Sequence, residues 1–302
     1  MRPSRAVLAA LWIACAGAAS AQSVHPMPVG PLPFHLRLAQ ADAVAIATVT
    51  AIHDGRIEVG DAQVLTGALG PSFEIKRAPS KPPPLAVGMP AVFLLRGARP
   101  PYVLADDPKD VIVLRDAASA RAWREELPKL VAARGDPQQL LALYLSWLDG
   151  SDEAMRATAA TALVDLRSKL PPLGDAAAVE RARVALDGQR PIEVRRVSAR
   201  LASMQPAGAS ALLRGLPGDA PDPLILDVAL HGGALFSSPE LGAALDRALA
   251  SEDLELRRRA VRVAGQIWSD DVAAKVRTVS ERDADPLLRQ EAREALQEHA
   301  TR

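Results

Sequence analysis

The chain has 302 residues, enough for two compact units. Its 36 Lys plus Arg balance 36 Asp plus Glu, so it lacks the basic excess of a dedicated nucleic-acid or anionic-membrane binder. Hydrophobic residues at 49% and charged residues at 24% are globular values, and 3% aromatics leave too few platforms for reading single strands by base stacking.

The first twenty-one residues read as a cleavable export signal. Arg2 and Arg5 precede the uncharged apolar run Ala6 to Ala18, which ends in the small-x-small pattern Ala19-Ser20-Ala21. The run is too short to span a bilayer as a stable helix, and charge or proline breaks every later apolar stretch. Cleavage after Ala21 would remove Cys15, the only cysteine, and leave 34 basic and 36 acidic residues. The alternative, lipid attachment at Cys15, fits poorly because Trp12 stands where a lipoprotein signal carries leucine. The alanine-rich composition suggests a bacterial source, hence a periplasmic or extracellular destination with no membrane insertion after cleavage.

Residues 22–35 form a proline-rich stretch holding Pro26, Pro28, Pro31 and Pro33. Strand signals follow. Ala43 to Ile52 is rich in β-branched residues without helical spacing, His53-Asp54-Gly55 marks a tight hairpin, and Arg56 to Val64 returns as a second strand. Ser72–Arg77, Ala91–Arg96, Tyr102–Ala105 and Val111–Leu114 are shorter candidates between Gly and Pro breaks. The segment Pro79-Ser80-Lys81-Pro82-Pro83-Pro84 reads as a stiff loop. So many short strands in residues 36–116 predict a small barrel or sandwich.

Three pieces of this region carry a resemblance. They are Ala41-Asp42-Ala43-Val44 through Val49, Val64-Leu65-Thr66-Gly67, and Gly88 through Phe93-Leu94. Their order resembles the OB-type barrel of the TIMP/netrin-like superfamily. Inhibitors of the TIMP kind hold their target's zinc through an N-terminal cysteine, whereas this chain would begin Gln22-Ser23-Val24-His25. OB-type barrels often bind oligonucleotides or sugars, but nine basic and nine acidic residues in 36–116 give no such bias.

From residue 117 to 302 the period becomes helical, with breaks at Gly135-Asp136-Pro137, Asp149-Gly150 and Pro171-Pro172. A repeat then emerges. Asp152 leads to Arg156, Asp253 to Arg257 and Asp285 to Arg289, each followed by a small residue three positions on. Ile192-Glu193-Val194-Arg195 is a copy without the aspartate, and Asp222-Pro223-Leu224-Ile225 is one in which Leu226 replaces the arginine. The equivalent positions 156, 195, 226, 257 and 289 are spaced by 39, 31, 31 and 32 residues. The pattern D-P-x-x-R-x-x-A resembles HEAT repeats of the short bacterial type, in which helix pairs stack into a solenoid. Aspartate suits the N-cap and proline the first turn. The resemblance implies that Arg156, Arg195, Arg257 and Arg289 bond aspartates or carbonyls of neighbouring repeats.

The expected fold is therefore α+β multidomain: a small N-terminal OB-like β-barrel followed by an all-α HEAT-like solenoid. A second arginine series, Arg200, Arg262 and Arg293, rotates off the buried side and is the candidate partner-binding face. The histidines His25, His35, His53, His231 and His299 make no H-x-x-x-H or H-E-x-x-H zinc pattern. His231-Gly232-Gly233 reads as a turn between helices, and no G-x-S-x-G, P-loop or dinucleotide fingerprint occurs. Trp147, Tyr144 and Trp268 are expected in apolar helix faces. No catalytic, metal or cofactor residue is assigned. The expected function is an exported, non-enzymatic scaffold for a protein partner. Two alternatives are an envelope enzyme or enzyme accessory with an interdomain carboxylate or histidine site, and a hydrolase inhibitor acting through barrel loops.

Overall fold

The computed structural model of the protein describes residues 34–53, 55–76, 85–97, 99–104, 110–133, 135–165, 170–216 and 222–301. The export signal, Cys15, His25 and the segment from Pro79 to Pro84 lie outside them.

Six strands make one sheet: β1 (Ala43–His53), β2 (Arg56–Thr66), β3 (Phe73–Lys76), β4 (Pro90–Arg96), β5 (Tyr102–Leu104) and β6 (Val111–Val113). Their order is β1-β2-β3-β5-β4-β6, and β1 also pairs with β4, so the first five close into a ring. The small barrel expected from the sequence is thus present, and it is mixed: the β3–β5 pairing is parallel and the others antiparallel. Closure removes the exposed edges that an open sheet of this size would present.

The barrel's pattern explains its sequence. Ala45, Ala47, Val49, Ile57, Ile75, Phe93 and Leu95 fill the interior. The intervening residues Val44 and Ile46 of β1, with Val92 and Leu94 of β4, belong to a different core shared with the helices. Both faces of β1 and β4 are therefore buried, which is why Ala43 to Ile46 shows no polar alternation. Strand β2, covered on one side only, alternates exposed and buried at its start. Gly67 closes the second strand at φ +87°, where a Cβ would come within 2.5 Å of the Ala43 Cβ. Only glycine satisfies both constraints there.

A helix unforeseen in the sequence, α1 (Phe34–Gln40), precedes the barrel and buries Phe34, His35 and Leu38. After the barrel come α2 (Ala117–Ala133), α3 (Pro137–Asp149), α4 (Glu153–Asp165), α5 (Asp175–Leu186), α6 (Ile192–Ala202) and α7 (Pro206–Gly215). They continue as α8 (Pro223–Phe236), α9 (Leu241–Leu249), α10 (Leu254–Gln266), α11 (Asp270–Arg282) and α12 (Pro286–Ala300). None of the described helices is long and apolar enough to cross a membrane.

Barrel and helices share the core at their junction. Phe34 meets the Trp123 edge at 5.8 Å, Trp123 lies 5.5 Å from Trp147, and Tyr144 meets Trp147 at 5.7 Å. Polar ends are satisfied: Trp147 Nε1 donates to Glu126 at 3.0 Å and Trp123 Nε1 to Asp152 at 3.3 Å. His35 Nδ1 and the Tyr144 hydroxyl share a buried hydrogen bond of 3.1 Å, and burial pushes the Tyr144 phenol up. Trp268 differs from expectation. It lies in the turn between α10 and α11, stacked on His299 at 4.2 Å, because the helical pattern stops at Gln266.

Candidate interaction surface

Helices pair along the chain as α3 with α4, α5 with α6, α7 with α8, α9 with α10 and α11 with α12. The even members also stack on one another in sequence, α4 on α6, α6 on α8, α8 on α10 and α10 on α12. These five helices carry the repeat register, so equivalent residues occupy equivalent places. One position before the register residue, Met155, Val194, Ile225, Leu256 and Leu288 are all buried. Three positions after it, Ala159, Ser198, Ala229, Ala260 and Ala292 are completely buried, and their small size lets successive helices approach.

The candidate repeat residues act as helix starts and braces. Asp222 accepts from the Leu224 and Ile225 amides, Asp253 from Glu255 and Leu256, Asp285 from Leu288, and Asp152 from Met155. Each satisfies amides that the first helical turn leaves without partners. Arg156 folds back onto the Gly150 and Ser151 carbonyls, Arg257 onto Ser251 and Glu252, and Arg289 onto Asp283 and Ala284. The same two offsets recur in all three, which makes the arginine a clasp on the turn before its own helix.

Arg257 also grips Asp283 of the following turn through two bonds of 2.8 and 3.2 Å. Arg195, whose helix has Pro191 at its cap instead of aspartate, reaches the Ala185 carbonyl at 3.0 Å. Leu226 has no such role and is buried in the array core. The neighbouring arginines join successive repeats: Arg196 donates to Asp222 at 3.0 Å, and Arg258 lies 3.9 Å from Asp285. Burial alone would raise the Asp222 and Asp283 carboxyls. Hydrogen bonds from Arg196 to Asp222 and from Arg257 to Asp283, helped by backbone amides, outweigh it and hold both below the usual carboxylate range.

Five positions past the register residue stand Thr161, Arg200, His231, Arg262 and Glu294, all exposed on one face of the stack. Two candidate arginines, Arg200 and Arg262, thus belong to one ladder. Arg293 does not. It falls one position short, in the place of buried Ala199 and Val261, and is exposed because no helix among the described residues packs over that side of α12. His231-Gly232-Gly233 is likewise no turn. It lies inside α8, where Gly232 and Gly233 are buried; a Cβ on Gly232 would sit 2.8 Å from the Ser203 Cβ and 2.9 Å from its carbonyl oxygen. The glycines serve helix contact, a need that local propensity does not display.

The ladder borders two grooves. One, of about 440 Å³, lies between α4, α6 and α8 and is walled by Val164, Val228, Met204 and Leu235, with Arg200 and His231 at its polar side. Leu235 is 74% exposed and Met204 39%. The other, of about 540 Å³, lies between α10 and α12, beside Arg262, Glu291, Glu294 and His299. A third groove, of about 580 Å³, follows β6 at the barrel–helix junction. Two of its three carboxylates have structural partners: Asp116 caps the Ser119 amide at 2.8 Å, and Asp152 takes the Met155 amide, the Ser119 hydroxyl and the Trp123 ring nitrogen. Among the described residues no group of three or more His, Cys, Asp and Glu side chains is arranged to hold a metal ion.

The geometry defines a closed small barrel fused to an array of paired helices with one grooved face. No known protein family, characterised protein or solved structure matches this chain.

Proposed function

We propose that this is an exported, non-enzymatic protein that binds a protein partner through the open face of a HEAT-like array. The observation that carries this reading is the groove between α4, α6 and α8, where Leu235 and Met204 leave large apolar side chains in water. Apolar side chains gathered in a concave site, with few polar groups around them, mark binding surfaces rather than ordinary solvated helix faces.

The HEAT-like reading is supported by the register at 156, 195, 226, 257 and 289 falling on the five helices that stack. The continuous junction core supports the barrel as a fixed base for that array. Export rests on the sequence of residues 1–21.

The test is crosslinking capture from native extract with the mature chain, in parallel with a Met204→Asp/Leu235→Asp variant. A protein recovered by the parent and depleted at least about tenfold by the folded variant, a difference of ~1.4 kcal/mol, is the expected result. Equal recovery would overturn the surface assignment. Substrate turnover by the purified chain, abolished by a substitution in the junction groove, would overturn the non-enzymatic reading.

A further inference from the structure

Resting on the partner-binding reading, we infer that the groove between α4, α6 and α8 takes a linear segment of a partner protein in which an aliphatic side chain lies beside a carboxylate. The aliphatic group packs on Met204, Val228 and Leu235, and the carboxylate pairs with Arg200.

The assignment comes from the groove's charge balance. Asp227, its acidic member, is already engaged: Arg259 reaches one oxygen at 2.8 Å and His231 the other at 3.4 Å. Arg259 is in turn shared with Glu255 at 3.2 Å, and Arg262 approaches that same glutamate at 3.7 Å. Arg200 stands outside this chain of pairs. It is exposed, lines the groove, and has no carboxylate partner within ion-pair distance among the described residues. One cation is therefore left uncompensated next to apolar walls.

A carboxylate arriving together with an apolar group displaces water from both, which strengthens the charge-assisted bond relative to an open surface. The volume of about 440 Å³ suits a short stretch of side chains better than the face of a folded domain. The sister groove between α10 and α12 lacks this balance. Its arginine is paired and its rim carries Glu291 and Glu294, so it does not select the same chemistry.

The experiment pans a displayed library of random peptides on the full mature chain and measures binding of the enriched peptides by fluorescence anisotropy. Enrichment of Asp or Glu next to Leu, Ile, Val or Met is expected. Binding should weaken about tenfold or more in Arg200→Glu and in Leu235→Asp, hold in Arg277→Glu, a charge reversal at an exposed site on α11 outside the groove, and recover in Arg200→Glu when the peptide carboxylate is exchanged for lysine. Arg200→Gln, which removes the charge without reversing it, should show an intermediate loss and serves if Arg200→Glu does not fold.

Peptides without acidic preference, or ones that bind Arg200→Glu as tightly as the parent, would overturn the inference. So would a concentration-dependent dimer that Leu235→Asp abolishes, because a second copy would then be the occupant. If the peptide result fails while capture still depends on Met204 and Leu235, the partner-binding reading stands and only the ligand chemistry falls. If both fail, the face is not a binding surface.

Discussion

The junction and the distal array solve the same packing problem with different materials. At the junction, Phe34, Trp123, Tyr144 and Trp147 interlock between α1, the barrel wall and the first helices. Farther along, the core is mainly alanine, leucine and valine, and polar clasps fix the turns between helices. Aromatic burial gives large, shape-specific stabilisation that fails as a unit. Small-residue stacking distributes stabilisation over many interfaces, each depending on its neighbours. The barrel thus covers the first face of the array.

The sharpest way to break the contrast is Trp123→Ala. Trp123 is fully buried, touches Phe34 and Trp147, and donates to Asp152. Its removal should cost about 3–5 kcal/mol, as for other buried tryptophans. Because the cluster belongs to both regions, strand and helix signals should still be lost in one transition, at lower denaturant concentration. Two separated transitions would show that the junction does not couple barrel and array.

Arg257→Met tests the other material. Arg257 and Asp283 are 13% and 7% exposed at their side chains, so losing the guanidinium leaves a carboxylate largely desolvated beside a frayed turn. About 3 kcal/mol is expected, the lower end for breaking a buried pair, since methionine keeps the aliphatic packing. The loss should be local: amide exchange should accelerate in α11 and α12 and stay unchanged in the barrel strands. Uniform acceleration would mean that the clasps stabilise the whole chain rather than single repeats.

Acid should act on the same clasps with a smaller effect. Asp222 and Asp283 have folded-state values held below their ordinary 3.8, so their stabilisation is complete above that value. It is lost as pH falls through the depressed folded values, because the unfolded chain then binds protons more readily. The melting temperature should therefore decline below about pH 4, and less steeply in Arg257→Met, where Asp283 has already lost its main partner. An identical acid slope in both proteins would remove Asp283 from the account.

What the sequence revealed follows the same division. Period and register disclosed the helix array, because the stacking positions must repeat, and the β-branched runs and the Asp54-Gly55 hairpin signal disclosed the first barrel strands. Helix α1 was hidden by the prolines around it. Its signal, Phe34 and Leu38 four residues apart and both buried, spans too few residues to outweigh Pro31 and Pro33. Gly232 and Gly233 look like a turn because intrinsic propensity says so, while contact with Ser203 and Leu213 keeps them in a helix. Arg200 and Arg262 are legible as residues five beyond the register arginine. Met204 and Leu235 are not, since their exposure depends on how far one stacked helix overhangs the next.

The smallest effect concerns helix α12. Arg293 occupies the place of Ala199 and Val261, which are buried because another helix covers them. Among the described residues no helix covers that side of α12, so an apolar residue there would face water and a charged one costs little. Arg293→Leu should therefore change stability by less than about 0.5 kcal/mol, as expected of a surface site with no ion pair among the described residues. It should instead make that face of α12 adhesive, visible as concentration-dependent association by sedimentation velocity. Val261→Arg is the matched internal substitution, and it should unfold the distal helices by burying a charge against α12. If the two changes behave alike, cover by a neighbouring helix does not explain why Arg293 differs from Ala199 and Val261.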